Sequence, residues 1–199
     1  MLTQSERPKL LNHANSILLQ SVLESLLDGI LILTHQGNQI YENDAARRIC
    51  QRLSHGNPGT DIASDVPKEI WQACEALIES RTLFPDRSIV IESEITLSRT
   101  EVFRLRVRWL SLEDTQHPYL VVLLEDYCQS LQSRAIAEGH QYGLTPRQSE
   151  VWLLHRIGYS YQEIANELYI SHNTVKKHIK DIYAKQQRSH ATLMEEYWV

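Results

Sequence analysis

LTPRQSEVWLLHRIGYSYQEIANELYISHNTVKKHIKDIYAK, residues 144–185, is the stretch that decides how this chain is read. Thr145 is a natural N-cap, and Pro146 follows at the first helical position, where its fixed φ helps and its missing N–H costs nothing. Val151, Leu154 and Ile157 put apolar groups on one face of that helix, and Gly158 ends it. Ser160 caps a second helix, with Glu163 three residues on to complete a capping box. Ile164, Ala165 and Leu168 face inward, and Ala165 is small where two helices cross closely. Ile170 falls in a turn, Ser171 caps a third helix, and Thr174 lies in its first turn. Val175, Ile179 and Ile182 then recur at the spacing of a buried helical stripe.

With those three residues inward, Asn173, Lys176, Lys177 and Lys180 fall on the other side, an amide and three ammonium groups. A short second helix, a tight turn and a third helix with cationic outer residues is the geometry that places a recognition helix in a major groove. The ordered pattern L-T-x-R-x-x-E-V, then G-x-S-x-x-E-I-A-x-x-L-x-I-S-x-x-T-V-K-x-H, closely resembles the LuxR/GerE family over about residues 143–199. That resemblance implies that Lys176, Lys177 and Lys180 reach base edges, with Asn173 and Ser171 in the same contact set. It implies that Thr174 and Lys185 hold phosphates and that His178 orients the helix. The partners it implies are double-stranded DNA, a second copy of the chain and RNA polymerase.

The chain departs from the family pattern in two places. Gln148 stands where Glu is frequent, which reads as a surface change of small consequence. After the recognition helix the family has K-L-G-V and an Arg, whereas Lys185-Gln186-Gln187-Arg188-Ser189-His190-Ala191 stands here. A fourth helix is expected over about Ser189–Trp198, with Leu193, Met194, Tyr197 and Trp198 on one side. Since that helix departs from its family, the dimer contact is expected elsewhere.

Upstream, residues 10–28 read as a helix with Leu10, Ala14, Ile17, Leu18 and Leu26 on an apolar stripe. Ile30–Thr34 and Gln39–Tyr41 make a hairpin, and Asn43 or Asp44 caps a helix from Ala45 to about Leu53. Residues 54–67 are a loop by composition, and a helix follows over about Lys68–Ser80. Strands are expected at Ser88–Leu97, Val102–Leu110 and Tyr119–Asp126, the middle one alternating apolar residues with Arg104, Arg106 and Arg108. SVLESLLDGILILTHQGNQIYENDAARRI and the closing YLVVLLEDYCQ resemble PAS domains over about residues 16–128. PAS folds sense small molecules, light or redox state, or dimerise, so the likeness implies a sensor or assembly role. The fold class expected is an α+β PAS-like domain with a five-stranded antiparallel sheet, followed by an all-α helix-turn-helix domain of four helices. The boundaries are 1–128 for the first, 129–142 for a helical linker stopped at Gly139, and 143–199 for the DNA-binding domain. The helix at 10–28, with the sheet, is the expected dimer interface.

The net charge of −5 is unevenly placed. Residues 1–138 hold 13 Lys+Arg against 19 Asp+Glu, whereas residues 139–199 hold 7 against 6. Affinity for DNA follows local cation density, and Lys176, Lys177, Lys180 and Lys185 face only Asp181 across their segment. No apolar run is long enough to span a bilayer and MLTQSERPKL lacks a signal-peptide pattern, so a cytoplasmic place is expected, with no membrane partner.

Cys50, Cys74 and Cys128 form no C-x-x-C pair and no zinc-ligand spacing, so neither a disulfide frame nor a metal is expected. Cys128, at the linker, is the best-placed candidate for a redox switch, against the blander reading of an inert half-buried residue. Neither Cys50 nor His55 has the surroundings of a flavin- or haem-binding residue, so a colourless protein without a cofactor is expected. No nucleophile, phosphate loop or paired acids suggest an enzyme. ILILTHQG is not followed by the acid of a phosphorylated receiver. The rival reading is an interaction protein whose helix-turn-helix binds a protein partner instead of DNA.

Overall fold

The computed structural model describes residues 6–55, 66–85, 87–111 and 118–197. The chain divides into two compact units, one of residues 1–97 and 102–126 and the other of residues 98–101 and 127–199.

The first unit is a five-stranded antiparallel sheet with three helices, the sheet expected of a PAS-like domain. In chain order it runs α1 (Glu6–Ser25), β1 (Gly29–Leu33), β2 (Gln39–Glu42), α2 (Asp44–His55), α3 (Lys68–Leu83), β3 (Ile91–Ser98), β4 (Glu101–Leu110) and β5 (Tyr119–Asp126). The strand order is β2-β1-β5-β4-β3, so the last strand lies between the first and the fourth. Strand alternation sorts the side chains by face. Phe103, Leu105 and Val107 of β4 are fully buried while Arg104, Arg106 and Arg108 point the other way. Leu105 pairs with Leu124, Val107 with Val122 and Leu31 with Val122, which lines up one apolar layer across three strands. Ile49 and Leu53 of α2 and Ile70, Cys74 and Leu77 of α3 close over that layer. Each such side chain contributes about 1.5–3 kcal/mol by leaving water.

Asn43 fixes the start of α2. Its Oδ1 accepts from the Ala46 and Ile30 N–H groups, each at 2.9 Å, and its Nδ2 donates to the Leu23 and Asp28 carbonyls, each at 3.0 Å. This fully buried amide therefore has four partners and ties α1, β1 and α2 together. Gly29 is required at the crossing beneath it, since a Cβ there would lie 2.8 Å from Ala46 Cα. The last turn of α1 is held by Glu24, whose two carboxylate oxygens accept from Tyr41 Oη and the Asp44 N–H. Among the described side chains, Ile17, Leu18, Leu19 and Val22 of the helix and Leu26 and Leu27 just after it are exposed.

The second unit holds α4 (Tyr127–Gln141), α5 (Pro146–Arg156), α6 (Tyr161–Glu167) and α7 (His172–Tyr197). Two sequence expectations change here. Gly139 does not stop α4; the helix runs through it to Gln141, and a Cβ at Gly139 would meet Ser149 Oγ at 3.2 Å. That glycine serves a close helix crossing, and Gly143, at φ +59°, ends the helix instead. The expected third and fourth helices are one element, α7. The Lys185–Ala191 segment lacks the glycine of the family's K-L-G-V, so nothing in it breaks a helix. The apolar side expected from Leu193, Met194, Tyr197 and Trp198 lies outside the described side chains.

Candidate nucleic-acid interface

The capping chemistry that positions α5 to α7 repeats. Thr145 Oγ1 accepts from the Gln148 N–H at 3.3 Å while Gln148 Oε1 accepts from the Thr145 N–H at 3.0 Å. Ser160 and Glu163 make the same reciprocal pair at the start of α6. Hydrogen bonds from the Ser160 hydroxyl and backbone N–H pull the Glu163 carboxyl down to about 2. At α7, Ser171 Oγ accepts from the Thr174 N–H at 3.1 Å and shares a hydrogen bond with Thr174 Oγ1 at 2.8 Å.

The helix ends repeat as well. After α4, the Leu144 N–H donates to Gly139 O and the Gly143 N–H to His140 O. After α5, the Tyr159 N–H donates to Leu154 O and the Gly158 N–H to His155 O. After α6, the Ile170 N–H donates to Ala165 O and the Tyr169 N–H to Asn166 O. All three are Schellman closures, which need a left-handed residue at one position. Gly143 and Gly158 supply it for the first two, and Tyr169, at φ +53°, supplies it for the third. Arg147 donates to the Leu168 carbonyl and thereby closes the end of α6 against α5.

Val151, Trp152, Ile164, Ala165, Val175, Ile179 and Ile182 form one buried core with Ala135 of α4. The Trp152 indole N–H donates to Glu138 at 2.8 Å, which ties α5 to α4. Beside it, Nε2 of His155 lies 3.4 Å from Tyr183 Oη, and the His155 ring packs near those of Trp152 and Tyr161. Burial of that ring, with Arg156 alongside, lowers the histidine's pKa.

Because Val175, Ile179 and Ile182 are held inward, the outer side of α7 is fixed. Asn173, Lys176, Lys177 and Lys180 are all exposed on it. Thr174 and His178 are half-buried at its flanks. Lys185 is differently placed: its Nζ donates to Gly143 O at 2.6 Å and to Gln148 Oε1 at 2.9 Å. Gln148 itself is buried, at 7 % exposure, so the reading of it as a surface change is corrected. The missed signal was its place three residues after an N-cap threonine, the acceptor position of a capping box. Cys128 is buried within α4, not solvent-accessible as a redox switch requires. Desolvation pushes the Cys50 and Cys74 thiols up to about 12, and all three cysteines are unpaired.

Residues 143–193 match the GerE model, bacterial regulatory proteins of the luxR family. The chain thus carries the DNA-binding domain of a transcription regulator, and α6 with α7 is its helix-turn-helix. No curated protein matches the chain. Among solved structures, the phage VqmA–DPO complex is similar at 17% identity and TM-score 0.39, over 87% of this chain and 83% of that one. A PAS domain from a two-component sensor histidine kinase is similar at 11% identity and TM-score 0.37, over 58% and 98%. The PAS domain of an HTR-like protein from Haloarcula marismortui is similar at 20% identity and TM-score 0.37, over 62% and 99%. Likenesses of that size carry no argument about ligand or partner. Among the described residues no helix is long and apolar enough to cross a membrane, and no group of His, Cys, Asp and Glu is arranged to hold a metal.

Proposed function

We propose that this protein is a sequence-specific regulator that binds double-stranded DNA as a homodimer, with α7 of each copy in a major groove. The observation that carries the reading is the outer stripe of α7. The side chains of Asn173, Lys176, Lys177 and Lys180 make no hydrogen bond or ion pair among the described residues, while the inner stripe locks the helix in the luxR-type core. Exposed cations on a fixed helix suit a groove lined by acceptors and flanked by phosphates. In this reading Lys176, Lys177 and Lys180 meet base edges, and Thr174 and Ser171 lie at the phosphate flank. His178 steadies the helix. Lys185, held by Gly143 and Gln148, has the smallest share in phosphate binding.

The second copy is assigned to α1. Four large apolar residues exposed on α1, with Leu26 and Leu27 just beyond its end, leave apolar surface in water among the described residues, and burying them against a partner copy supplies the dimer's driving force. Selection of binding sites from random-sequence DNA with the intact chain tests the first part, and recovery of a defined, repeated half-site is expected. Lys177→Ala and Lys180→Ala each weaken the selected site by about 1–3 kcal/mol if they meet bases. Equal loss on selected and random DNA demotes them to phosphate contacts. Failure to enrich any DNA favours a protein partner for the helix-turn-helix. Sedimentation tests the second part: the parent runs as a dimer and a Leu19→Glu, Val22→Glu variant as a monomer.

A further inference from the structure

We infer that the half-site recognised by α7 has a core of guanines on the contacted strand, with an adenine at the end that faces Asn173. The inference rests on the reading of α7 as the helix in the groove and goes beyond it to the class of sequence. Its basis is the donor balance of the exposed stripe. Lys176, Lys177 and Lys180 present ammonium groups, which donate three hydrogen bonds and accept none. Asn173, exposed on the same stripe, can both donate and accept through its amide. No carboxylate is paired with these lysines among the described residues, so each ammonium enters the groove with its full donor capacity.

The major groove offers those donors unequal partners. Guanine alone places two acceptors, N7 and O6, side by side on one base. Adenine follows its N7 acceptor with an amino donor, thymine sets its single O4 acceptor beside a methyl group, and cytosine presents only a donor. A lysine against either of those amino groups loses water without gaining an acceptor. Three donor-only side chains on one stripe therefore select guanine repeatedly, while the amide of Asn173 matches the acceptor–donor pair of adenine. From Asn173 to Lys180 the helix rises about 10 Å, at about 1.5 Å per residue. That length spans about three base-pair steps of about 3.4 Å, so the core is short and nearly continuous.

The test changes the DNA and leaves the protein as it is, so folding cannot confound it. After selection with the intact chain, each guanine of the preferred half-site is replaced in turn by 7-deazaguanine. This base keeps pairing and O6 but carries C–H in place of N7. The expected result is a run of guanines on one strand of the core, with affinity falling about 5- to 100-fold at more than one of them. A defined site whose core lacks guanine, or one that tolerates every replacement, overturns the inference and leaves the DNA-binding reading standing. Failure to enrich any sequence overturns both.

Discussion

Lys185 reaches from the middle of α7 to Gln148 at the start of α5, its Nζ lying 2.9 Å from Gln148 Oε1. That oxygen also accepts from the Thr145 N–H, so one neutral amide serves a helix cap and a half-buried ammonium together. Replacing Gln148 by Glu makes both hydrogen bonds charge-assisted and sets a negative charge at a helix N-terminus. Gln148→Glu should raise the thermal stability of the chain, and Gln148→Ala should lower it by about 1–3 kcal/mol through two lost bonds at a buried site. Equal melting of all three proteins would remove this contact from the account.

Tyr169 carries a backbone strain that the fold does not need. It is 95 % exposed and left-handed where two sister helix ends use glycine. Tyr169→Gly relieves the Cβ clash and gives back part of the gain in chain entropy, for a net rise of about 0.5–1 kcal/mol in unfolding free energy. Chemical denaturation of the full chain measures it. A destabilised variant would show that the ring packs in solution.

Asn43 makes four hydrogen bonds through one side chain in the first unit. Truncation to Ala removes four hydrogen bonds and leaves the Ile30 and Ala46 N–H groups without their acceptor, and a loss of at least about 2 kcal/mol is expected. Hydrogen exchange should show faster opening of the last turn of α1 and the first turn of α2. Protection unchanged in both would contradict the role given to this amide.

The second unit should lose stability in mild acid through His155. Its folded pKa lies below the ordinary value of 6.5, so the unfolded chain takes up the proton first as pH falls. The contribution is whole above that value and shrinks as pH drops toward the folded pKa. Glu163 acts in the same direction at lower pH, its stabilisation fading from the ordinary 4.5 down to about 2. A His155→Gln variant should show a flatter dependence of stability on pH between about 7 and 5. An unaltered slope would place the titration elsewhere.

How much of this was written in the chain differs between its parts. In residues 144–185 the caps are spelled out by Thr145, Ser160 and Ser171, and the inward stripe by Val175, Ile179 and Ile182, because local hydrogen bonding and helical period decide those features. The alternation in β4 foretold its faces for the same reason. Gly139 was misleading, since a glycine that ends a helix and one that lets two helices touch look alike until the neighbour, Ser149, is known. Gln148 looked like surface because its partner Lys185 is 37 positions away. The helical period of α1 was legible, but that Ile17 and Leu18 stay exposed was not, as burial depends on what lies opposite.

The central claim is that α7 reads sequence, and the direct measurement is the ratio of two affinities across a range of salt. Binding of the intact chain to its selected site and to random duplex of equal length is titrated side by side. Both should weaken as salt rises, because phosphate contacts release counterions. The selected site should stay about 1,000-fold tighter or more throughout, since the contacts of Lys176, Lys177 and Lys180 to bases are not shared by random DNA. Two affinities that are equal and fall together with salt would contradict it, leaving α7 a cationic surface without a code.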